Sequence, residues 1–164
     1  MLPLLCFIVK ISFPIVTKHE PDVVLNLSSD PNFFFGTFTP FKIINFENEN
    51  TFYIYGEIAS TFSLVDIEAK VARFVSRTGV IYVLTVGPGL IKLPSGKELD
   101  RAFKPTPPKG NGKISVTRSG STISMEIDYE GDREKMIVNS LAKKARSIKN
   151  LDDLIWRERI SRHI

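Results

Sequence analysis

The stretch DPNFFFGTFTPF, Asp30 to Phe41, places five phenylalanines among residues that are typical of turns. It opens with an aspartate that can cap a helix, and the proline that follows suits the first helical position. Gly36 is the predicted stop of this helix. The segment is therefore predicted to be a short helix rather than a loose loop, and it concentrates rigid apolar surface at one place.

The segments on either side of this helix alternate in a way that predicts one sheet. Residues 5–15 are rich in β-branched side chains and predict a strand that ends near Pro14. Residues 17–29 predict a short helix with Thr17 or His19 as its cap. From Phe41 onward the hydrophobic period becomes two, which predicts strands at residues 41–48, 51–60, 65–75, 80–86, 113–118 and 122–130. In the strand at 65–75 the alternation favours one buried and one solvated face.

The C-terminal segment differs from the rest in both charge and period. Residues 132–164 carry nine basic and five acidic residues, which is the whole of the net charge of +4. Apolar residues at helical spacing predict one amphipathic helix of about five turns from a cap at Asp132. Residues 151–160 either prolong that helix or form a second one, with Asn150 as the break. Such a helix is either a solvated face or a surface for nucleic acid or anionic lipid.

The length and the composition predict a single folded domain over residues 1–164. Within it, residues 87–112 contain five prolines and five glycines, which is too long for an ordinary hairpin loop and predicts a lid, an interface arm or a mobile segment. The single Cys6 is expected to be a small buried hydrophobe. Because the apolar opening has no basic start and no small-residue cleavage site, a cytoplasmic location is expected.

The sequence contains no assembled catalytic or metal-binding motif. His19 and His163 lie near opposite ends, and the residues around Gly96 and Lys97 have the wrong spacing for a phosphate loop. No catalytic residue, metal or cofactor is predicted, and the chain is not expected to be an enzyme.

The order of one strand, two short helices, six strands and a long terminal helix resembles the helix-grip fold. This α+β fold is shared by START lipid-transfer domains, the birch-pollen-allergen family and polyketide cyclases, and the segment LSSDPNFF resembles their usual second-helix opening. The resemblance implies a curved antiparallel sheet wrapped around the C-terminal helix, with an apolar cavity between them. Within this group the chain looks most like a small archaeal family, restricted to thermoacidophiles, that is implicated in carrying long-chain fatty acids.

The resemblance implies a hydrophobic ligand, most simply a long-chain fatty acid, bound between the sheet and the helix. The strand alternation carries Arg73, Tyr82 and Arg118 onto the apolar side, where a guanidinium offsets the cost of desolvating a carboxylate. The alternative for each arginine is a strand end from which it reaches water. The ligand-binding residues predicted are Phe33, Phe34, Phe35, Phe38, Val71, Arg73, Tyr82, Leu84, Arg118, Met125, Ile137 and Leu141. The phenylalanines either line the cavity mouth or fill the core beneath the sheet.

Two other function classes stay open at this point. One is a cyclase-like or dehydratase-like enzyme that acts on an apolar substrate in the same cavity. The other is an interaction module that uses the basic C-terminal segment, although no nucleic acid is expected because the phenylalanines and the basic excess lie in different elements. Transient membrane contact and a homo-oligomer are also compatible with the sequence.

Overall fold

The structure, a computed structural model, describes residues 9–59, 64–91 and 106–163. Seven strands form one curved antiparallel sheet in the order β1-β7-β6-β5-β4-β3-β2. The strands are β1 (Val9–Pro14), β2 (Lys42–Asn48), β3 (Thr51–Ala59), β4 (Leu64–Ser76), β5 (Gly79–Val86), β6 (Gly110–Ser119) and β7 (Thr122–Gly131). The α+β helix-grip architecture expected from the sequence is therefore confirmed. Cys6, the first residues of the predicted N-terminal strand and the middle of the 87–112 segment lie outside the described residues.

Four helices accompany the sheet: α1 (Pro21–Ser28), α2 (Pro31–Phe38), α3 (Glu134–Arg146) and α4 (Leu151–Arg162). Helix α1 contacts β5, β6 and β7, and α3 contacts β1 and β7, while α4 contacts α1. The apolar side chains that alternate along the strands face these helices. One buried core therefore joins α2 and α3 to Phe52, Val71, Leu84 and Ile127.

The aspartate cap of α2 is confirmed, whereas its predicted stop and the predicted caps of α1 are wrong. Asp30 accepts a hydrogen bond from the Asn32 backbone N–H at 2.9 Å. The helix then runs through Gly36 to Phe38, and the Thr39 hydroxyl donates to the Phe35 carbonyl at 2.8 Å. Helix α1 begins after Glu20 with Pro21 at its first position, and the Thr17 hydroxyl accepts from the His19 backbone N–H, which precedes the helix.

The C-terminal segment forms two helices, which is one of the two alternatives that the sequence leaves open. The N-cap residue of α3 is Arg133, in the left-handed region at φ 55°, and not the predicted Asp132. Helix α3 ends at Arg146, and α4 begins after Asn150, so the break predicted at Asn150 and the second helix are confirmed. The break lets α4 fold back toward α1 instead of continuing along the sheet.

The outer face of the sheet is not wholly solvated, which corrects the prediction for β4. All residues from Val65 to Ala69 are buried, including Asp66 and Glu68. The start of the 87–112 segment covers Glu68: the backbone N–H groups of Gly89 and Ile91 donate to its carboxylate at 3.3 and 3.4 Å. Alternation in the sequence gave no sign of this cover, because it lies on a segment without periodicity.

Gly79, at the start of β5, tests how closely β5 and β6 approach each other. A Cβ added there would overlap the Val116 carbonyl oxygen, whereas one added at Gly36 would meet nothing within 4 Å. Gly79→Ala is expected to lower the free energy of unfolding by about 1–3 kcal/mol, since backbone must shift. Gly36→Ala is the matched control and is expected to raise it by about 0.5–1 kcal/mol because glycine weakens a helix interior. Urea unfolding of the two variants measures both values, and equal stabilities would contradict the packing described.

Tyr129 on β7 predicts a loss of stability at high pH. Its ring lies against Gly110 and Gly112, its hydroxyl donates to the Asp132 carbonyl at 3.2 Å, and burial raises its pKa to about 12. Between the ordinary tyrosine pKa of about 10 and that value, the folded chain keeps a proton that the unfolded chain has lost. The free energy of unfolding should therefore fall as the pH rises through this window, by at most about 3 kcal/mol from this residue.

Urea unfolding between neutral pH and pH 12 measures this loss. The phenol-free variant Tyr129→Phe should show a shallower decline than the parent chain. Identical slopes for the two proteins would show that Tyr129 does not hold its proton in the folded state.

Candidate functional site: an aromatic cluster and an adjoining apolar groove

An aromatic cluster fills the space between α2 and the sheet. Phe34 and Phe35 come from α2, Phe52 from β3 and Tyr82 from β5, and all four are fully buried. The Phe34 ring stacks on Tyr82 with centroids 4.8 Å apart, and Phe35 meets Tyr82 edge-on at 5.1 Å. These are the favourable aromatic geometries, so the rings act as core. Phe33 and Phe38 are also buried, so the core-filling alternative describes how these side chains pack.

Tyr82 and Arg73 meet the C-terminal end of α1. The Tyr82 hydroxyl donates to the Ser28 carbonyl at 2.6 Å, and burial raises the pKa of this phenol. The Arg73 guanidinium donates to the Ser29 carbonyl at 2.5 Å. Because the last carbonyls of a helix lack partners within it, both side chains satisfy acceptors that would otherwise be orphaned. The partners of these two groups are therefore carbonyls of the chain itself, at the end of α1.

Arg118, the second predicted arginine, lies at the end of β6. Its Nε donates to the Gly120 carbonyl at 2.7 Å, and Nη1 pairs with Asp22 on α1. Arg73 likewise donates twice to Asn50 Oδ1, at 3.1 Å each. The role of either arginine toward a ligand stays a prediction.

The other predicted residues lie in the core that links the sheet to α3. Val71, Leu84 and Met125 occupy the helix-facing side of the sheet, and Ile137 and Leu141 occupy the buried side of α3. Their role in ligand binding likewise stays a prediction.

Next to the aromatic cluster an apolar groove opens between β1, α2 and the break in the C-terminal helix. It has a volume of about 260 Å³. Its lining consists of Phe13, Pro14, Ile15, Val16, Phe38, Ala145, Arg146, Ile148 and Leu151. Phe38 is the only predicted ligand-binding residue in this lining, and its ring also stacks on Phe34 at 5.4 Å. The groove therefore adjoins the aromatic cluster through one shared ring.

Among the residues that the structure describes, Arg146 is the only charged one in the lining of the groove. Its guanidinium lies over the Phe13 ring, 5.0 Å from the centroid, and it makes no ion pair with any carboxylate of the described ranges. A cation held over an aromatic face keeps its outer N–H groups available. Sequence reasoning missed this residue because helical spacing places it on the solvated side of α3, and the groove beside it forms only where Ile148 and Leu151 follow the end of that helix.

The far wall of the groove depends on how α4 is attached. Asp152 Oδ1 accepts from the Thr17 hydroxyl at 2.5 Å and from the Lys18 backbone N–H at 2.9 Å. His19 Nε2 lies 3.0 Å from the Asp152 carbonyl, and Arg159 Nη1 lies 3.2 Å from His19 Nδ1. The hydrogen bonds from Thr17 and then Lys18 hold the pKa of Asp152 below its usual range. The connection between β1 and α1 thus fixes the start of α4 beside the groove.

A protein-family model matches the chain over residues 9–164. The chain belongs to that family. Among solved structures, it is similar to a STAR-related lipid transfer protein from Xanthomonas axonopodis at 12% identity and a TM-score of 0.53, over 84% of this chain and 85% of that one. It is also similar to the Zhui aromatase/cyclase from Streptomyces sp. R1128 at 10% identity and a TM-score of 0.49, over 93% and 95% of the two chains. No curated protein matches the sequence. At such low identities the first likeness shows the fold alone.

Two further properties bear on the kind of site. Within residues 9–59, 64–91 and 106–163, no helix is long and apolar enough to cross a bilayer. In the same ranges no group of three or more histidine, cysteine or carboxylate side chains is arranged to hold a metal ion.

The attachment of α4 predicts an acid-sensitive site. Because the pKa of Asp152 is lowered in the folded state, its contribution to stability is present above about pH 4 and is lost as the pH falls through the lowered pKa. Asp152→Ala should therefore be less stable than the neighbouring control Asp153→Ala at neutral pH, and the difference should disappear in acid. Thermal unfolding monitored by the fluorescence of Trp156, one turn along α4, measures this. A stability difference that persists unchanged at pH 2 would rule out the carboxylate as its source.

Proposed function

We propose that this protein binds and carries an apolar ligand with an anionic headgroup, a long-chain fatty acid, and that the apolar groove holds it. The observation that carries the proposal is Arg146, a cation without a carboxylate partner in the described residues, at the rim of an otherwise apolar lining. A carboxylate ligand supplies the partner that the described residues do not, and its alkyl chain contacts the apolar walls.

Arg146 is better placed for this role than the two arginines predicted from the strands. The donors of Arg73 are directed to Ser29 and Asn50, and those of Arg118 to Gly120 and Asp22. A ligand carboxylate at either residue would have to replace those acceptors. At Arg146 the described residues place no such acceptor, and a guanidinium offers a carboxylate two parallel hydrogen bonds.

The size of the groove indicates how the alkyl chain lies. Sites for drug-sized ligands measure about 300–1,000 Å³, so a groove of about 260 Å³ accommodates only part of a long chain. The rest extends past Phe38 toward the aromatic cluster, or outward along α4. Each buried methylene contributes about 0.8 kcal/mol, so ten contribute about 8 kcal/mol before ordering costs, which corresponds to roughly micromolar affinity.

Carriage is favoured over catalysis by the chemistry of the lining. Within the described part of the chain, the groove residues include no histidine, carboxylate or thiol that could act as an acid, base or nucleophile. Glu126, the acid nearest in sequence to a predicted ligand-binding residue, lies on the outer face, where Lys10 pairs with it at 2.6 Å. The name of the lipid transfer protein that shares the fold agrees with carriage.

Three finer parts complete the proposal. They are a cytoplasmic location, exchange of the ligand through transient membrane contact, and self-association through exposed sheet edges. Each stands as part of the proposed function.

Displacement of a fluorescent fatty acid from the purified protein tests the proposal. Arg146→Gln is expected to weaken binding about tenfold or more, because a charge-assisted pair with the carboxylate is lost. Binding of a fatty alcohol of equal length should be nearly unchanged in this variant, since it carries no charge.

Arg73→Gln and Arg118→Gln are the matched controls, and both should retain the affinity of the parent chain. Loss of affinity in either of them, with Arg146→Gln unaffected, would move the headgroup to the strand arginines and overturn the groove assignment. Absence of fatty-acid binding, together with no lipid in native mass spectra, would overturn the function itself.

A further inference from the structure

The break between α3 and α4 carries a dense group of exposed cations. Lys143, Lys144, Arg146 and Lys149 stand within seven residues without an intervening acid, and all four are exposed. The C-terminal end of a helix carries roughly half a negative elementary charge, which a nearby cation offsets. The group therefore exceeds what stabilising α3 requires.

Large apolar side chains are exposed beside these cations. Trp156 and Ile160 lie one turn apart on the solvent side of α4, with 55% and 58% of their surface exposed. Val16, just after β1, is 84% exposed. Such side chains gain nothing from water, and tryptophan in particular favours the boundary between water and lipid.

The cations and the exposed apolar residues meet at the mouth of the groove. Val16 and Arg146 both line the groove, and Lys18, Lys149 and Trp156 line the recess beside it. We define this surface as the α3–α4 corner, which consists of Val16, Lys18, residues 143–149, Trp156 and Ile160.

Two carboxylates, Asp152 and Asp153, also face the recess beside the groove. Asp152 accepts hydrogen bonds from the Thr17 hydroxyl and the Lys18 backbone N–H and keeps its negative charge, so both carboxylates oppose an anionic surface. The five cations of the corner outnumber the two carboxylates.

We propose that the α3–α4 corner docks the protein on an anionic lipid bilayer, with the cations at the headgroups and Trp156, Ile160 and Val16 among the upper acyl segments. The inference rests on the proposed function, since docking here would bring the mouth of the groove to the source of its ligand. Clustered basic residues bind anionic leaflets, and aliphatic side chains strengthen such binding by burial.

A nucleic acid is the less favoured partner for this surface. Single strands are bound by aromatic rings that stack on successive bases within a basic channel. The corner has one aromatic ring. Its other exposed apolar groups are aliphatic, and these neither stack on bases nor pair with phosphates. An anionic bilayer offers headgroups that pair with the cations of the corner and acyl chains that bury its apolar side chains.

Because Trp156 is the only tryptophan of the chain, its fluorescence reports directly on docking. The experiment mixes ligand-free protein with vesicles of equal parts phosphatidylcholine and phosphatidylglycerol, and with phosphatidylcholine vesicles alone. A blue shift of Trp156 emission and quenching by brominated acyl chains are expected with the anionic vesicles only. Raising the salt concentration should release the protein, because the cations act through a screened field.

Charge-reversal variants localise the contact. Lys143→Glu/Lys149→Glu should lower the partition coefficient about tenfold or more, whereas Lys42→Glu/Lys113→Glu, which makes the same charge change on β2 and β6, should lower it far less. Trp156→Ala should weaken sedimentation with vesicles while leaving the circular dichroism spectrum unchanged. Equal losses in the two double variants, or binding to a single-stranded oligonucleotide without binding to vesicles, would overturn the proposal.

The vesicle experiment is independent of the carrier experiment. Fatty-acid displacement is measured without vesicles, and docking is measured without fatty acid. Normal displacement with no vesicle binding would therefore reject the docking surface alone, and vesicle binding without displacement would reject the proposed ligand alone.

Discussion

The hydrogen bond from the Tyr82 hydroxyl to the Ser28 carbonyl ties the helices to the sheet. A fully buried phenol must find an acceptor, because leaving it unpaired costs about 1–3 kcal/mol. The acceptor it finds is the end of α1, and α2 begins only two residues after Ser29. The position of Tyr82 on β5 thus determines where α1 stops and where the phenylalanines of α2 enter the core.

This constraint explains why the open apolar surface lies beside the aromatic cluster and not within it. Displacing a buried phenylalanine to make room for a ligand would cost about 1.5–3 kcal/mol for each ring. The groove needs no such displacement, since Phe13, Phe38 and Leu151 already border open space. A chain-like ligand therefore gains most by entering at the groove and meeting the cluster only through Phe38.

Local chemistry predicted much of the fold, and contacts between distant segments account for what it missed. The change of period at Phe41 and the cap at Asp30 depend on neighbours in sequence, and both predictions are confirmed. Burial of Glu68 depends on Gly89 and Ile91, and the partners of Arg73 depend on how α1 ends; neither is encoded within the strand itself. Strand parity gave the direction of these side chains but not their partners.

The groove and the α3–α4 corner were missed because the sequence predicts the break at Asn150 but not the direction that α4 takes after it. In a continuous helix Leu151 would continue along the sheet. Asp152 prevents this, since its bonds to Thr17 and to the Lys18 backbone draw α4 toward the connection after β1. That attachment places Leu151 as a wall of the groove and Trp156 beside Lys149. Any movement that releases Asp152 must therefore alter the groove and the exposed corner together, which couples the proposed ligand site to the proposed docking surface.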